Sequence, residues 1–205
     1  PPRCAACNAR VALLNAFCGT CAATAERAAG GWAGNGAAPI AAFLYGGAVA
    51  RAIMKMKYER RPDIARPLGD LLRRAIEGHA VAGIITAETV VVPVPLHPSR
   101  LAERGYNQAA LVARRVARGL RAPLWPMALA RTNDTPQQTA LDRTSRAANV
   151  AGAFAARGGG LRGRRVLLID DVHTTGATLD ACAVALRGAG VTAVACAVVA
   201  RTASS

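Results

Sequence analysis

Bulky aromatic side chains are scarce, with Phe, Trp and Tyr together making up 4% of the 205 residues. Much of the 52% apolar content is alanine, so a core has to be assembled from aliphatic runs, and there are few ring platforms on which bases could stack. Lysine is nearly missing: Lys55 and Lys57 are the only two among 26 basic residues, and the rest are arginine. Acidic residues number 12, which leaves a formal charge of +14. Arginine's planar fork suits phosphate better than lysine's point charge does, so anionic ligands or nucleic acid fit this balance. A solvated, self-repelling surface fits it too, and a GC-rich genome would give the same arginine and alanine excess.

Long apolar runs are also lacking. The longest charge-free stretch, residues 28–50, is broken by Gly30, Gly31, Gly34, Asn35, Gly36 and Pro39, so no membrane span is expected. The opening Pro1-Pro2-Arg3-Cys4 carries no apolar signal core, and a cytoplasmic protein is the expectation. The absence of an initiator Met points to residues ahead of Pro1. A chain of this length suits one α/β domain with a small appendage, and it buries roughly 70% of its unfolded surface without needing a covalent framework. Disordered and mini-protein readings are set aside on that ground.

Four of the six cysteines lie at the start, as Cys4-x2-Cys7 and Cys18-x2-Cys21. Two such knuckles can place four thiolates tetrahedrally around Zn²⁺, and the compact segment that carries them has little core of its own. Two disulfides are the alternative, disfavoured in a reducing cytoplasm. A redox-active pair is disfavoured because neither motif sits at the strand-to-helix junction of a βαβ unit. Residues 1–38 are therefore read as a four-cysteine zinc module with a Gly/Ala-rich linker, and 39–205 as the main domain, the two with separate cores. Cys182 and Cys196 fall on apolar segments and read as buried small hydrophobes.

Within the main domain, residues 40–45 read as a strand and 48–57 as a helical turn or two. Residues 62–79 read as a helix with Ile64, Leu68, Leu71, Leu72 and Ile76 on one face. Residues 89–95 form a β-branched run ended by prolines, a buried strand. The segment 107–120 is helical, with Leu111, Val112 and Val116 toward the core and Arg114, Arg115 and Arg118 outward. The polar stretch 131–149, interrupted by Pro136, reads as a long loop or hairpin. The last third reads strand, helix, strand, a βαβ unit of the kind that builds parallel sheets with ligands at the carboxyl ends of the strands.

The most informative string is VLLIDDVHTTGAT, residues 166–178. An apolar strand ends in two acids and runs through a Thr/Gly loop into a helix. Thr174, Thr175, Gly176, Ala177 and Thr178 offer backbone N–H groups, three hydroxyls and a helix N-terminus at one place, a cradle for phosphate. Asp170 and Asp171 stand about one sugar away and can accept hydrogen bonds from vicinal hydroxyls. The combination describes a ribose 5-phosphate. The apolar run into Asp-Asp also has the look of a Walker B strand, but the chain contains no G-x-x-x-x-G-K-[ST], which excludes a P-loop nucleotidase.

This string resembles the 5-phosphoribosyl-1-pyrophosphate (PRPP) motif of the type I phosphoribosyltransferases, with Asp170 where many members have Glu. The remainder is similar to the ComF family of competence-associated proteins. The matching pieces are the four-cysteine module, the MKY segment at Lys57, VPVPLHPSRLAERGYNQA from Val92, the RTNDTPQQTALDRTSRAANVAGAF stretch, and the PRPP motif. The resemblance implies a type I phosphoribosyltransferase fold, a mainly parallel sheet flanked by helices, preceded by a zinc-ribbon-like module. It implies displacement of pyrophosphate from PRPP by an unknown acceptor, with Mg²⁺ bridging pyrophosphate and sugar oxygens. Asp170, Asp171 and Arg104 would be catalytic, and Arg100 and Arg104 would form a pyrophosphate-facing loop. Gln137, Gln138, Arg143, Arg146 and Asn149 would belong to a flexible hood, while Lys57 reads as a surface residue. The same resemblance implies a role in DNA uptake during natural transformation, with single-stranded DNA and competence-machinery proteins as partners. A non-catalytic PRPP or nucleotide sensor that binds single-stranded DNA, or a plain assembly protein, is the competing reading.

Overall fold

The computed structural model describes residues 2–13, 15–29, 38–78, 85–132 and 152–203. Four parallel strands form the central sheet in the order β1 (Ile40–Leu44), β6 (Ala193–Arg201), β5 (Arg165–His173), β2 (Thr89–Pro93). Strand β5 is interior, with Leu167 opposite Val91 on one side and Ala195 on the other. These strands read as near-continuous Val/Ile/Leu/Ala runs because both faces are covered, as parallel sheets require.

Side chains alternate between the two faces with the period of two that a strand imposes. Val91, Leu167, Ile169, Ala197 and Val199 point into a core shared with three helices, α2 (Gly47–Tyr58), α3 (Ala65–Gly78) and α5 (Gln108–Leu120). Those helices contribute Val49, Ile53, Met56, Leu68, Leu72, Ile76, Val112 and Val116. Val90, Val92, Val166, Leu168 and Val198 point the other way, onto Leu179, Cys182 and Leu186 of α6 (Ala177–Gly188). Leu71 and Leu111, expected in the core, are only partly buried at its margin. Cys182 is fully buried and Cys196 partly so, and burial pushes both thiols up, Cys196 to about 12.

Helix α2 runs for 12 residues, longer than the sequence pattern indicates. Its start is set from outside the domain: the Ala48 amide donates to Thr24 Oγ1 at 3.0 Å. Gly47 there has φ +48, and a Cβ would fall 2.1 Å from the Thr24 carbonyl oxygen. The chain on either side of the polar stretch pairs as a short antiparallel ribbon, β3 (Leu129–Arg131) with β4 (Phe154–Ala156). Among the described residues no helix is long and apolar enough to cross a membrane.

The expectation of separate cores for cysteine module and main domain is corrected by the packing. Cys4, Ala5, Ala6, Ala16, Phe17 and, on the short helix α1 (Gly19–Ala22), Cys21 belong to the same buried cluster as Ile40, Phe43, Val49 and Met56. Backbone bonds extend the join, from Ala28 N to Ala42 O at 3.4 Å and from Leu44 N to Glu26 O at 2.9 Å. A segment too small to fill its own interior has used the edge of the sheet as its missing wall.

Candidate functional site

Strand β5 carries the acids to its carboxyl end. Strand β2 accompanies it only as far as Pro93 opposite Ile169, and the Val94 amide makes a last bond to the Ile169 carbonyl at 2.8 Å. Beyond that point β2 turns away toward α4 (Pro98–Arg104), while β6 stays paired past Val172. The divergence leaves β5 unpaired on its β2 side from Asp170 on, the crevice position at which open α/β sheets bind ligands.

Alternation along β5 gives the two acids different surroundings. Asp171 shares parity with Leu167 and Ile169, points to the α2 side and is buried at 3% exposure. There Lys57 Nζ lies 3.0 Å from its Oδ2. Asp170 shares parity with Val166 and Leu168, is half-buried, and its Oδ1 accepts the Asp171 backbone N–H at 2.8 Å. Burial and the neighbouring Asp171 charge push the Asp170 carboxyl up to about 7, against the pull of Lys57, the Asp171 N–H and Arg131. For Lys57, burial presses the ammonium down, but Asp171 and Asp170 outweigh it and hold it above its ordinary value. The surface reading of Lys57 is therefore corrected: this is a largely buried cation bound to the acid strand.

The last turn of α2 is fastened on three sides. Lys57 reaches Asp171, the Tyr106 hydroxyl donates to the Met56 carbonyl, and the Arg104 guanidinium stands 5.5 Å from the Tyr58 ring centre. Two motifs distant in sequence, MKY and RGYNQ, thus meet beside the acids. Arg104 Nη1 also donates to Gln108 Oε1 at 2.6 Å. Asn107 caps α5 by accepting the Ala110 amide, and its Nδ2 donates to the Val94 carbonyl at 2.9 Å. Arg100 and Arg104 lie on helix α4, not on a loop, because Pro98 at its first position, His97 as cap and Gly105 in left-handed backbone define a complete short helix. Arg100 faces solvent and pairs with Glu103 at 3.0 Å, so of the two only Arg104 is built into the neighbourhood of the acids.

The loop after β5 begins at Thr174, since the strand runs through His173. Gly176 caps α6 at φ +89 without a side-chain bond, and a Cβ there would come within 3.1 Å of His173 Nε2 and 3.3 Å of Asp180 Oδ2. The glycine lets the turn close over its neighbours and leaves the first amides of α6 without a side-chain cap. Burial moves the His173 imidazole below its ordinary value. Gln137, Gln138, Arg143, Arg146 and Asn149 lie outside the described residues.

The N-terminal sulfurs form a second cluster. The Sγ atoms of Cys4, Cys7, Cys18 and Cys21 all lie within 4.8 Å of one another, and Cys7 and Cys18 are 3.6 Å apart. A disulfide needs about 2.0 Å, and all four are free thiols. A tetrahedral zinc with Zn–S near 2.3 Å spaces its sulfurs by about 3.8 Å, so the cluster fits a metal such as zinc. Burial raises Cys4, but backbone N–H groups of Cys7, Cys18 and Ala6 outweigh it and bring the thiol down to about 6. Burial and the neighbouring thiols push Cys21 up to about 12, although Arg51 Nη2 stands 3.8 Å from its sulfur.

Comparison with known proteins agrees with this geometry. Residues 106–205 match the phosphoribosyl transferase domain family. Competence protein F of Haemophilus influenzae is 34% identical over 141 residues, 68% of this chain and 62% of that protein. The DNA utilization protein YhgH of Escherichia coli strain K12 is 32% identical over 128 residues, 62% of this chain and 56% of that protein. Competence protein ComFC of Bacillus subtilis is 36% identical over 90 residues, 44% of this chain and 35% of that protein. The chain thus spans less than two thirds of the length of each. The four-stranded parallel sheet flanked by helices is a type I phosphoribosyltransferase fold, and with its N-terminal cysteine cluster and these relatives the chain resembles the ComF family of phosphoribosyltransferase-like proteins.

Proposed function

We propose that this chain binds PRPP at the end of β5 and displaces its pyrophosphate with an acceptor, in the service of DNA uptake. The observation that supports it is the convergence of three parts on one crevice: the acids Asp170 and Asp171, the open amides of the loop at Thr174, Thr175, Gly176, Ala177 and Thr178, and the cations Lys57 and Arg104. Thr174 to Thr178 would hold the 5-phosphate, and the acids the ribose hydroxyls. Arg104 would stabilise charge as pyrophosphate departs. The donor set, two hard carboxylates of which one is already ion-paired, suits an Mg²⁺ that keeps most of its ligands from substrate and water. That ion would neutralise the pyrophosphate oxygens. The four cysteines would hold one structural Zn²⁺.

Calorimetry with Mg²⁺ and PRPP tests the pocket, followed by a screen for pyrophosphate release over candidate acceptors. The double substitution D170N/D171N keeps shape and removes charge. Charge-assisted hydrogen bonds contribute roughly 1.5–3 kcal/mol each, so affinity should fall at least about tenfold. Unchanged affinity in a folded double variant would remove the ribose assignment.

A second reading, a PRPP-sensing protein that binds single-stranded DNA, draws on a separate feature. A cavity of about 760 Å³ beside α3 and α5 is lined by Arg66, Arg114, Arg115 and Arg118, with Asp63 the single acid. Arg115 is engaged by Asp70 at 2.6 Å. Binding of PRPP without release of pyrophosphate for any acceptor would favour this sensor over the enzyme.

A further inference from the structure

The contact between Lys57 and Asp171 is lopsided, and the asymmetry has chemical content. Asp171 Oδ2 is wholly buried and lies 3.0 Å from the Lys57 ammonium. Among the described residues no donor is recorded on Oδ1. A lysine is also the unusual choice in this chain, where arginines supply almost all of the positive charge. The other lysine, Lys55, makes an i,i+4 surface pair with Glu59 at 3.4 Å.

An arginine would meet a carboxylate with two parallel N–H groups and take both oxygens, as Arg61 does with Asp63 at 2.8 and 2.7 Å. An ammonium is a compact charge that satisfies one oxygen and leaves the other to a further donor. The stem that delivers it is held from two sides, by the Tyr106 hydroxyl on the Met56 carbonyl and by Arg104 on the Tyr58 ring. The ammonium therefore approaches Asp171 from a fixed direction, that of the last turn of α2.

We propose that Lys57 is the positioning residue of the ribose site: by pinning Oδ2 of Asp171 from the α2 side it turns Oδ1 toward the crevice as the acceptor for a sugar hydroxyl. This rests on the pocket reading above and deepens it. Lys57 acts through Asp171, and its role depends on being a one-point cation rather than merely a positive one.

Ribose 5-phosphate and inorganic pyrophosphate serve as separate probes, each titrated by calorimetry against the unsubstituted chain, K57R and K57M, with thermal unfolding of each variant. Arginine neutralises Asp171 at least as well as lysine, so K57R should keep the melting temperature. Its fork should nevertheless occupy Oδ1 and weaken ribose 5-phosphate at least about tenfold, with pyrophosphate affected less. K57M leaves Asp171 buried without its cation and should lose both stability and ribose 5-phosphate binding. Where K57M does not fold, K57R decides alone. A K57R chain with unchanged stability and unchanged ribose 5-phosphate affinity overturns the proposal, and so does one that loses its melting temperature, which marks a packing role. An unsubstituted chain that binds neither ribose 5-phosphate nor PRPP overturns the pocket reading itself, and this proposal with it.

Discussion

Phe17 meets Phe43 edge to face, with ring centres 6.3 Å apart and planes at 86°. One ring belongs to the cysteine module and the other to strand β1, and the Arg27 guanidinium covers the far partner at 4.7 Å. Such pairs add about 0.5–1.5 kcal/mol beyond the area they bury. The cysteine module is consequently a wall of the phosphoribosyltransferase-like core, and stress on one is felt by the other.

From that join, loss of the metal should destabilise the whole chain rather than release a loose end. Elemental analysis should find one zinc per chain. Cys18→Ser, or a chelator, should lower the main thermal transition, and Phe17→Ala should cost roughly 3–5 kcal/mol. An unfolding trace in which the main transition stays put while the first residues alone melt would show that the shared core contributes little.

Asp170 links stability to pH. Its carboxyl is raised to about 7 by burial and by Asp171, whereas in the unfolded chain it titrates near 3.9. The folded state therefore holds the proton more tightly, so this group's contribution is most favourable at low pH, declines as pH rises toward 7, and levels off above it. Asp170→Asn removes that decline. In urea unfolding the variant should gain stability relative to the parent, more at pH 8 than at pH 5; an equal effect at both would show that Asp170 titrates normally.

Gly176→Ala probes the proposed phosphate loop. The left-handed backbone costs an L-residue roughly 1–2 kcal/mol, and the new methyl meets His173 Nε2 at 3.1 Å. Both ribose 5-phosphate affinity and stability should fall. Adding His173→Ala removes the closer of the two steric contacts, leaving Asp180 Oδ2 at 3.3 Å, and should recover some stability, while the backbone part persists.

For single-stranded DNA, the arginine-lined cavity beside α3 and α5 makes a specific expectation. If Arg66, Arg114 and Arg118 neutralise phosphates, R66Q/R114Q/R118Q should reduce the slope of log affinity against log salt by up to about 2. Fluorescence anisotropy at several salt concentrations measures it. With 4% aromatics, affinity should carry little base preference. Competition by PRPP would place the strand across the crevice instead.

How much of this was legible in the sequence depended on distance along the chain. The acids and the Thr/Gly loop are contiguous, so strand, turn and cradle could be read together. Cys4, Cys7, Cys18 and Cys21 were legible for the same reason. Helix α4 was missed although its signals were present, a proline at the first helical position and a glycine after the last. Lys57 carried no local mark beyond its rarity: its partner is on a strand far along the chain, and only the packing of α2 against β5 brings them together. The docking of Phe17 on Phe43 was equally invisible, because a ten-residue gap between cysteine pairs says nothing about which surface the knuckles will borrow.

The place of the acids on an interior strand has a consequence for how the site responds to a ligand. Asp170 lies opposite Val198, and Val172 opposite Ala200, inside the ladder that holds the sheet together. Amides there that bond into β6 are expected to resist exchange with solvent deuterium more than those of Thr174 to Gly176, which lie outside the ladder. The pocket thus has one wall that is already in its final shape and one lip that is not. Among the described residues, ordering on ligand binding would fall on that lip alone, which leaves more of the contact energy available as affinity.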